Sequence, residues 1–406
     1  MKILMVTPYL PYPLHSGGQT RSYNLIKRLS KKHQITLFSF IRGPEENCNI
    51  KELSPYCQKI KTFIRGKTWD PKKILFALLT PYPFLIANYY SRQLKKSLQK
   101  ELSCQDYDLV HIECFYLMPN VPQTKTPKIL VDQTIEYEVY RHHTQTLPWY
   151  LAPIKLLYYF DVLKIFLWEK HFWQTATQTC AVSEDDQKLM KRHCPKTKFE
   201  IVKNGVSVDR FIKKKYKRTS RPTVFFGVAN FKWMQNREGV DILLKSVWPK
   251  IKEKLPKAKL WIIGRYAPEF YGQFNQDKDI TVKEADDINY FYQKAWVLVA
   301  PIRSGGGSRT KFFEAMASGL PIVTTSQGIE GIRIKKNQQA IVVDTNDQLA
   351  KAAVNLIKNP QKMAQVGKKA QKLVMEKYSW QESARELDRV YKLVVEKSKK
   401  TKSPSP

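Results

Sequence analysis

The sequence lacks several features that would place a protein in other classes. Its six cysteines include no C-x-x-C pair and show no framework spacing, so reduced thiols are expected rather than disulfides or a zinc module. Glycine is ordinary, at 16 residues, and no internal repeat occurs, which excludes collagen and repeat arrays. The most apolar stretch, residues 151–168, contains Lys155, Asp161 and Lys164. We therefore predict no transmembrane helix.

Acidic residues are also scarce. The chain has 36 Asp and Glu against 69 Lys and Arg, which leaves a net charge of +33 over 406 residues. With 43% hydrophobic residues it is too apolar for a disordered basic tail. The charge suits nucleic acid, an anionic membrane surface or a negatively charged small substrate, but most of it is expected on solvated lysine-rich surfaces and tails. No zinc-finger spacing, RNP1 string or basic heptad region is present, so we expect no nucleic-acid partner.

The N-terminal apolar run, residues 3–7, is short and is followed by prolines, which predicts a buried strand rather than a signal peptide. A cytoplasmic location is therefore expected. Residues 82–100 and 149–173 mix aromatic side chains with lysines, so peripheral contact with the inner face of the membrane is a further hypothesis. On a helical wheel, residues 151–168 show no clean amphipathic stripe, and burial against the first sheet is expected for them.

Short apolar runs alternate with helical patterns, which predicts two α/β domains built on parallel sheets. The turn Asn204-Gly205 and the polar run 213–221 separate two series of strands. We expect a first domain at residues 1–212, a second at 213–377 and a disordered basic tail at 396–406. The predicted strands are 3–7, 35–40, 109–113, 129–132 and 179–182, then 223–228, 259–263, 280–281, 297–300, 322–324 and 340–343.

Residues 297–321 are the most informative stretch. They predict a buried strand, a glycine-rich loop and a short helix ended by Gly319 and Pro321. Glycines let backbone amides approach an anion, and a helix start adds partial positive charge. Lys311 and Glu314 share a helix face, which suits a ligand with a diphosphate and a ribose diol. The loop also supplies the cations Arg303 and Arg309 and the residues Gly306, Gly307 and Ser308.

This stretch resembles the retaining GT-B glycosyltransferases called group 1 or GT4-like. The family pattern P-x-R-x-G-x-G-x-R-x-K-x-x-E-A-M-A-x-G-x-P corresponds to Pro301–Pro321. Further matches occur in order along most of the chain, and together they are far more specific than any one alone. They are Ser16-Gly17-Gly18, Val182-Ser183-Glu184, Val202 to Val206, Phe226-Gly227, Ile263-Gly264 and Tyr378-Ser379-Trp380.

The resemblance implies a GT-B fold, in which two Rossmann-like, doubly wound parallel-sheet domains face a cleft. It implies transfer of a sugar from a UDP- or GDP-type donor with retention of the anomeric configuration. The acceptor would be a saccharide or a lipid-linked saccharide, bound by the N-terminal domain, and the donor would be bound by the C-terminal one. No cofactor or essential metal is implied. The last helix, residues 378–395, would cross back to the N-terminal domain.

The donor-site residues that the resemblance implies are Gly306, Gly307, Ser308, Lys311, Glu314, Asn236 and Gly264. The catalytic candidates are Lys311, Arg309 and Asp132. Two family elements are absent. The first glutamate of the E-x7-E element is replaced by Gly306, as in a glycine-rich subgroup, and the R-x4-K pair is missing after Gly227. Lys232 or Asn236 are the candidates to replace that pair.

On the acceptor side, Gly17 and Gly18 precede a predicted helix. Either their amides face the bound acceptor, or they form a plain strand-to-helix turn without a role in binding. Asp132 and Glu136 follow a strand, where carboxylates orient an acceptor hydroxyl and accept its proton, or cap a helix. These alternatives stay open on the sequence alone. The histidines, cysteines and acidic pairs show no metal-ligand spacing, so no metal site is predicted.

Two other functions fit the sequence. The missing first glutamate is compatible with a non-catalytic GT-B-like protein that holds an anionic polymer on its basic surface. A nucleotide-sugar epimerase would use the same architecture. Turnover of nucleotide sugars separates the three functions.

Overall fold

The computed structural model describes residues 1–14, 16–146, 152–212, 216–285, 287–303 and 310–402. The chain forms two compact units. One contains Met1–Asn204 and the C-terminal segment from Ser383 onward, and the other contains Gly205–Glu382. Each unit is an α/β fold on a parallel sheet, which confirms the predicted fold class.

The sheet of the first unit has seven parallel strands. Alternate residues of the first strand enter two separate cores, since Leu4 and Val6 pack on one face and Ile3 and Met5 on the other. Such two-sided burial explains why these strands are nearly continuous apolar runs. The strands are β1 (Lys2–Thr7), β2 (Gln34–Ile41), β3 (Lys59–Ile64), β4 (Leu109–Glu113), β5 (Lys128–Asp132), β6 (Gln178–Ala181) and β7 (Phe199–Ile201), in the spatial order β3-β2-β1-β4-β5-β6-β7.

Helices connect these strands. The first begins after Ser16, whose hydroxyl oxygen accepts a hydrogen bond from the amide of Gln19 at 3.2 Å. The helices are α1 (Gly17–Leu29), α2 (Pro71–Leu79), α3 (Phe84–Tyr89), α4 (Arg92–Cys104), α5 (Glu136–Thr146), α6 (Ala152–Thr175) and α7 (Glu184–His193), with 3₁₀ turns at Pro44–Glu52, Ser54–Tyr56 and Phe115–Asn120.

The second unit repeats this plan around its own apolar core. Its strands are β8 (Thr223–Phe225), β9 (Ala229–Asn230), β10 (Lys259–Arg265), β11 (Ile280–Lys283), β12 (Val297–Ala300), β13 (Ile322–Thr324) and β14 (Ile341–Val342). Their order is β11-β10-β8-β12-β13-β14, with β9 paired to β10. The helices are α8 (Val208–Ile212), α9 (Met234–Ile242), α10 (Trp248–Lys254), α11 (Ala267–Tyr271), α12 (Ile288–Lys294), α13 (Thr310–Ala317), α14 (Asn346–Lys358) and α15 (Pro360–Lys377); a π-helical turn, Leu243–Val247, joins α9 to α10, and a 3₁₀ turn, Gly272–Gln276, follows α11.

The short helix α13 ends as its sequence predicts. Gly319 has φ +72°, the left-handed conformation that glycine adopts without strain. The amide of Leu320 donates to the carbonyl of Ala315 at 2.8 Å, which satisfies a carbonyl of the last turn. Pro321 then leads directly into β13.

The last helix, α16 (Trp380–Lys402), belongs mainly to the first unit. Leu387, Val390 and Tyr391 lie in one of that unit's two cores. The helix continues beyond residue 395, where we expected a disordered tail to begin, because its Lys- and Glu-rich end needs no burial to stay helical. Residues 403–406 lie outside the described part of the chain.

Two further differences from the sequence expectation concern the strands of the first unit and the boundary between the two units. Strands β3 and β7 were not predicted, because β3 is a lysine-containing edge strand and β7 has three residues. The boundary lies at Asn204 and Gly205, before the expected residue 212, because Val206 and Phe211 already pack in the core of the second unit.

The expected burial of residues 151–168 is wrong for one side of α6. Val162 and Ile165 are buried, but Leu156 is 72% exposed and Leu167 is 55% exposed. This helix is apolar on both sides, so its composition alone could not show which side packs. Among the described helices, none combines the length and the apolar character needed to cross a membrane.

Candidate functional site

Two of the predicted donor-site residues, Lys311 and Asn236, meet at the carboxyl edge of the second sheet. Lys311 lies in the first turn of α13, and Asn236 lies in the first turn of α9. Phe226 and Gly227 directly follow β8, and they approach the Lys311 side chain. Gly306, Gly307, Ser308 and Arg309 lie outside the described residues.

The ammonium group of Lys311 is held between a carbonyl oxygen and an aromatic ring. Its Nζ donates to Oδ1 of Asn236 at 3.1 Å and lies 3.8 Å from the ring centre of Phe226. The Asn236 side-chain nitrogen donates to the carbonyl of Asn230 at 2.9 Å, which orients Oδ1 toward the lysine. Lys311 is only 7% exposed. A cation is thus fixed beside the start of α13, where an anionic ligand gains from both charges.

Gly227 makes room for this lysine. It has φ +90°, and a Cβ atom there would lie 3.1 Å from Cδ of Lys311 and 3.1 Å from Cδ1 of Leu298. A larger residue would therefore be strained in its backbone and would press on the lysine stem. The sequence identified Phe226-Gly227 as a family match, but it assigned no role to either residue.

Glu314 is one turn further along α13, in a partly buried position. Burial raises the pKa of its carboxyl to about 7, although a hydrogen bond from Tyr292 and the positive charges of Arg210 and Lys311 lower it. The Tyr292 hydroxyl oxygen also accepts from the amide of Val228 at 3.1 Å, so this tyrosine is fixed in place. Tyr292 and Arg210 were missed by the sequence analysis, because nothing in the order of residues links them to Glu314.

We predict that Glu314 makes donor binding depend on pH. An ionised carboxylate accepts hydrogen bonds from a ribose diol better than a neutral one, and Glu314 ionises as the pH rises through about 7. The affinity for UDP-glucose or GDP-mannose, whose diphosphates do not titrate near neutrality, should therefore rise roughly fivefold from pH 6 to pH 8. Calorimetry on the Glu314→Gln variant should show a flat profile. An equal rise in the variant would contradict the prediction.

Gly264 has a role that its motif did not suggest. It lies in β10 opposite Ala229 of β9, with φ +145°. A Cβ atom at this position would lie 1.9 Å from the carbonyl oxygen of Ala229. This glycine allows two backbone segments to approach closely. Nearby, the alternative cation Lys232 has its Nζ 3.9 Å from the ring centre of Tyr266.

An open cavity of about 630 Å³ lies elsewhere in the second unit. It runs along α9 and α11 and is lined by Arg237, Asp241 and Phe270 among others. None of the described donor-site predictions lines it, so its volume alone does not make it the candidate site.

In the first unit, the two glycines after β1 differ sharply. No described atom lies within 4 Å of a Cβ built on Gly17, whereas a Cβ on Gly18 would lie 1.8 Å from the hydroxyl oxygen of Tyr9. That hydroxyl donates to Oε1 of Gln133 at 2.9 Å. Gly18 therefore permits the contact between the loops after β1 and β5, and Gly17 borders open space.

A buried chain of polar groups continues from this contact. Gln133 donates to Glu113, which accepts a hydrogen bond from Nε2 of His111 at 3.1 Å, and His111 contacts the hydroxyl of Tyr391. Burial alone would raise the pKa of Glu113, but hydrogen bonds from His111 and Gln133 and the positive charges of His111 and Arg21 outweigh it, and the pKa is lowered. The sequence gave no sign of this network, because its members come from three distant segments.

The two carboxylates after β5 lie in different environments. Both oxygens of Asp132 accept buried hydrogen bonds, from Nε1 of Trp173 at 2.7 Å and from the amide of Phe115 at 3.2 Å. Burial raises the pKa of Asp132 to about 7 against these bonds. Burial, and then the charge of Asp132, raise the pKa of the half-buried Glu136 to about 8. Asp132 thus anchors the surrounding elements, and Glu136 is the more accessible of the two.

In the described part of the chain, no group of three or more histidine, cysteine or acidic side chains is placed to hold a metal ion. The residues brought together at the two sheet edges are instead a lysine, amide groups, glycines and carboxyls of raised pKa. Such groups donate and accept the hydrogen bonds that phosphates and hydroxyls use.

Two Rossmann-like parallel-sheet units in one chain, with a lysine and a glutamate on the short helix that follows a glycine-rich stretch of sequence, define the GT-B class. The first unit has the strand order 3-2-1-4-5-6-7, and the second repeats the parallel plan with a cationic helix start at its carboxyl edge.

Comparison with known proteins gives the family. Residues 15–210 match the model described as Glycosyltransferase Family 4, and residues 222–359 match Glycosyl transferases group 1. The chain belongs to the GT-B glycosyltransferases. A curated relative is an uncharacterized 44.6 kDa protein in the cps region of Klebsiella pneumoniae, 22% identical over 403 residues that cover 93% of this chain and 96% of that one.

Solved structures show the same fold. Sucrose-phosphate synthase from Thermosynechococcus elongatus matches with a TM-score of 0.68 and 14% identity, over 97% of this chain and 99% of the synthase. Alr3699/HepE of Anabaena, solved in complex with UDP-glucose, matches with a TM-score of 0.64 and 12% identity, over 97% of this chain and 100% of that one.

Proposed function

We propose that this glycosyltransferase moves a sugar from a nucleotide-sugar donor to a saccharide or a lipid-linked saccharide, with retention of the anomeric configuration. The observation that carries the proposal is the Lys311 ammonium, which is fixed at the start of α13 by Asn236 and Phe226. A diphosphate is the dianionic group that such a site suits best.

In this proposal, each donor-site residue has a distinct task. Lys311 and Arg309 stabilise the negative charge that develops on the departing diphosphate, where preorganised cations contribute most to the rate. Glu314 accepts hydrogen bonds from the ribose hydroxyls. The backbone of Gly306 and Gly307, with Ser308, contacts the phosphates or the sugar where the first family glutamate is missing. A UDP-type donor is favoured over a GDP-type one, because Alr3699/HepE was solved with UDP-glucose.

On the acceptor side, we assign Gly17, Gly18 and Glu136 to the bound saccharide. With a pKa of about 8, Glu136 is mostly protonated at neutral pH and would donate a hydrogen bond to the acceptor rather than remove its proton. Asp132 acts indirectly, because it is only 2% exposed and its oxygens accept hydrogen bonds from Trp173 and Phe115. We propose no metal and no cofactor for the reaction.

We also propose that the reaction takes place in the cytoplasm, at the inner face of the membrane. The six cysteines form no disulfide, as is usual in a reducing compartment. The net charge of +33 favours contact with anionic lipid, which would bring the enzyme to a lipid-linked acceptor.

A panel of radiolabelled nucleotide sugars, incubated with the protein and a lipid extract of its own cells, tests this function. We expect label to appear in a glycolipid or saccharide product, with the anomeric configuration of the donor kept. Recovery of an epimerised donor would instead identify an epimerase. Binding of an anionic polymer without turnover of any donor would identify a non-catalytic binding protein.

A further inference from the structure

The first unit presents an exposed apolar surface on two of its helices. On α2, Leu75, Leu78 and Leu79 are spaced as one helical stripe and are 55%, 58% and 76% exposed. On α6, Leu156, Leu163 and Leu167 form a second stripe, with at least half of each side chain exposed. We call these six leucines the α2–α6 face. Soluble monomers rarely expose so many large apolar side chains together.

Hydrogen bonds join helix α6 to the end of α2. Lys164 of α6 donates from Nζ to the carbonyls of Ala77 and Thr80, at the end of α2, at 2.7 and 2.8 Å. One turn further, Nε1 of Trp168 donates to the carbonyl of Pro81 at 2.9 Å. These bonds satisfy carbonyl groups at and just after the end of α2, and they link it to the helix that carries the second leucine stripe.

The acidic side chains of these two helices, unlike Lys72, are not exposed. Helix α2 has no acidic residue, and the two acids of α6 are used internally. Asp161 accepts from the amide of Phe84 at 2.8 Å, and Glu169 is fully buried. Lys72 is exposed on α2, and Lys67 is exposed in the loop before it. An apolar surface with lysines and without exposed acids matches the interface of an anionic bilayer.

The α2–α6 face is also tied to the predicted acceptor residues. Glu169 of α6 accepts hydrogen bonds from the amides of Glu136 and Tyr137, at 2.7 and 3.1 Å. The helix that carries the exposed leucines therefore holds the start of α5, where Glu136 lies. A lipid-linked saccharide in the bilayer would meet the protein on the same unit that we propose to bind the acceptor.

We propose that the α2–α6 face inserts its leucines into the surface of an anionic membrane. The proposal deepens the proposed function, since it makes the acceptor a saccharide carried on a membrane lipid. Leucine side chains supply most of the binding free energy by leaving water, and the lysines add an attraction that salt screens. A protein partner or a second copy of this chain would use the same apolar surface without requiring anionic lipid.

Sedimentation with vesicles tests the proposal on the full chain. The probe is vesicles of phosphatidylglycerol and phosphatidylcholine in equal parts, with pure phosphatidylcholine vesicles beside them. We expect binding to the mixed vesicles, weakened by salt, and weaker binding to the neutral ones. The triple variant Leu75→Gln, Leu78→Gln and Leu79→Gln should bind the mixed vesicles at least about tenfold less tightly, because three apolar side chains are lost.

Met375→Gln is the matched control, since Met375 is 48% exposed in the second unit, and it should leave vesicle binding unchanged. Retained UDP affinity and melting temperature show that the triple variant is folded. The proposal is overturned if the wild type ignores anionic vesicles or if the triple variant binds them equally. It is also overturned if the wild type does not bind vesicles and forms a dimer in ultracentrifugation that the triple variant does not form. Failure of the wild type to bind UDP would instead contradict the donor proposal alone.

Discussion

Replacing Lys311 with methionine is expected to weaken the binding of UDP or GDP roughly ten- to one-hundred-fold. Methionine keeps most of the stem that lies beside Gly227, so the loss reports mainly the ammonium group and its contacts with Asn236 and Phe226. A hydrogen bond between charged groups contributes about 1.5–3 kcal/mol in a partly buried site, which corresponds to that range of affinities. Isothermal calorimetry on the wild type and the Lys311→Met variant measures this change in affinity directly.

The matched control is Lys351→Met, which removes an exposed lysine from α14 of the same unit. It lowers the net charge equally, so it corrects for long-range attraction of the nucleotide. If Lys351→Met weakens binding as much as Lys311→Met does, general attraction accounts for the effect. If Lys311→Met binds UDP and GDP like the wild type, Lys311 is not in the donor site.

Gly264→Ala is expected to lower the free energy of unfolding by about 3 kcal/mol. Its Cβ would lie 1.9 Å from the carbonyl oxygen of Ala229, and at φ +145° the alanine backbone is itself strained. The obstacle is backbone on a paired strand, so β9 and β10 must move apart to admit the methyl group. Denaturant unfolding, followed by the tryptophans, measures the change.

Gly272→Ala serves as the control in the same unit. Gly272 has φ −56°, and no described atom lies within 4 Å of a Cβ placed there. Alanine fits this conformation, so stability should stay constant or rise by up to about 1 kcal/mol, because the unfolded chain loses freedom. Equal losses in both variants would show that the loss does not come from the close approach of Gly264 to Ala229.

The exposure of α6 shows where inference from composition fails. Residues 151–168 spread apolar and charged side chains around the whole helix without a clean amphipathic stripe, so the sequence predicted burial. In the structure Val162 and Ile165 are buried, and Leu156 and Leu167 are exposed. The polar surface of a protein cannot cover all apolar residues, and which of them remain outside depends on what packs against the helix. That information is absent from the local sequence.

The sequence by itself determined the fold class, most of the strands and the short helix after the glycine-rich loop. Strands buried on both faces must be apolar along their length, and Gly319 and Pro321 end a helix by local stereochemistry. Only the tertiary structure decided which groups meet Lys311 and Glu314, since Asn236, Phe226 and Tyr292 come from other elements. Side-chain contacts between distant segments, and the pKa shifts that burial causes, exist only once those segments have packed.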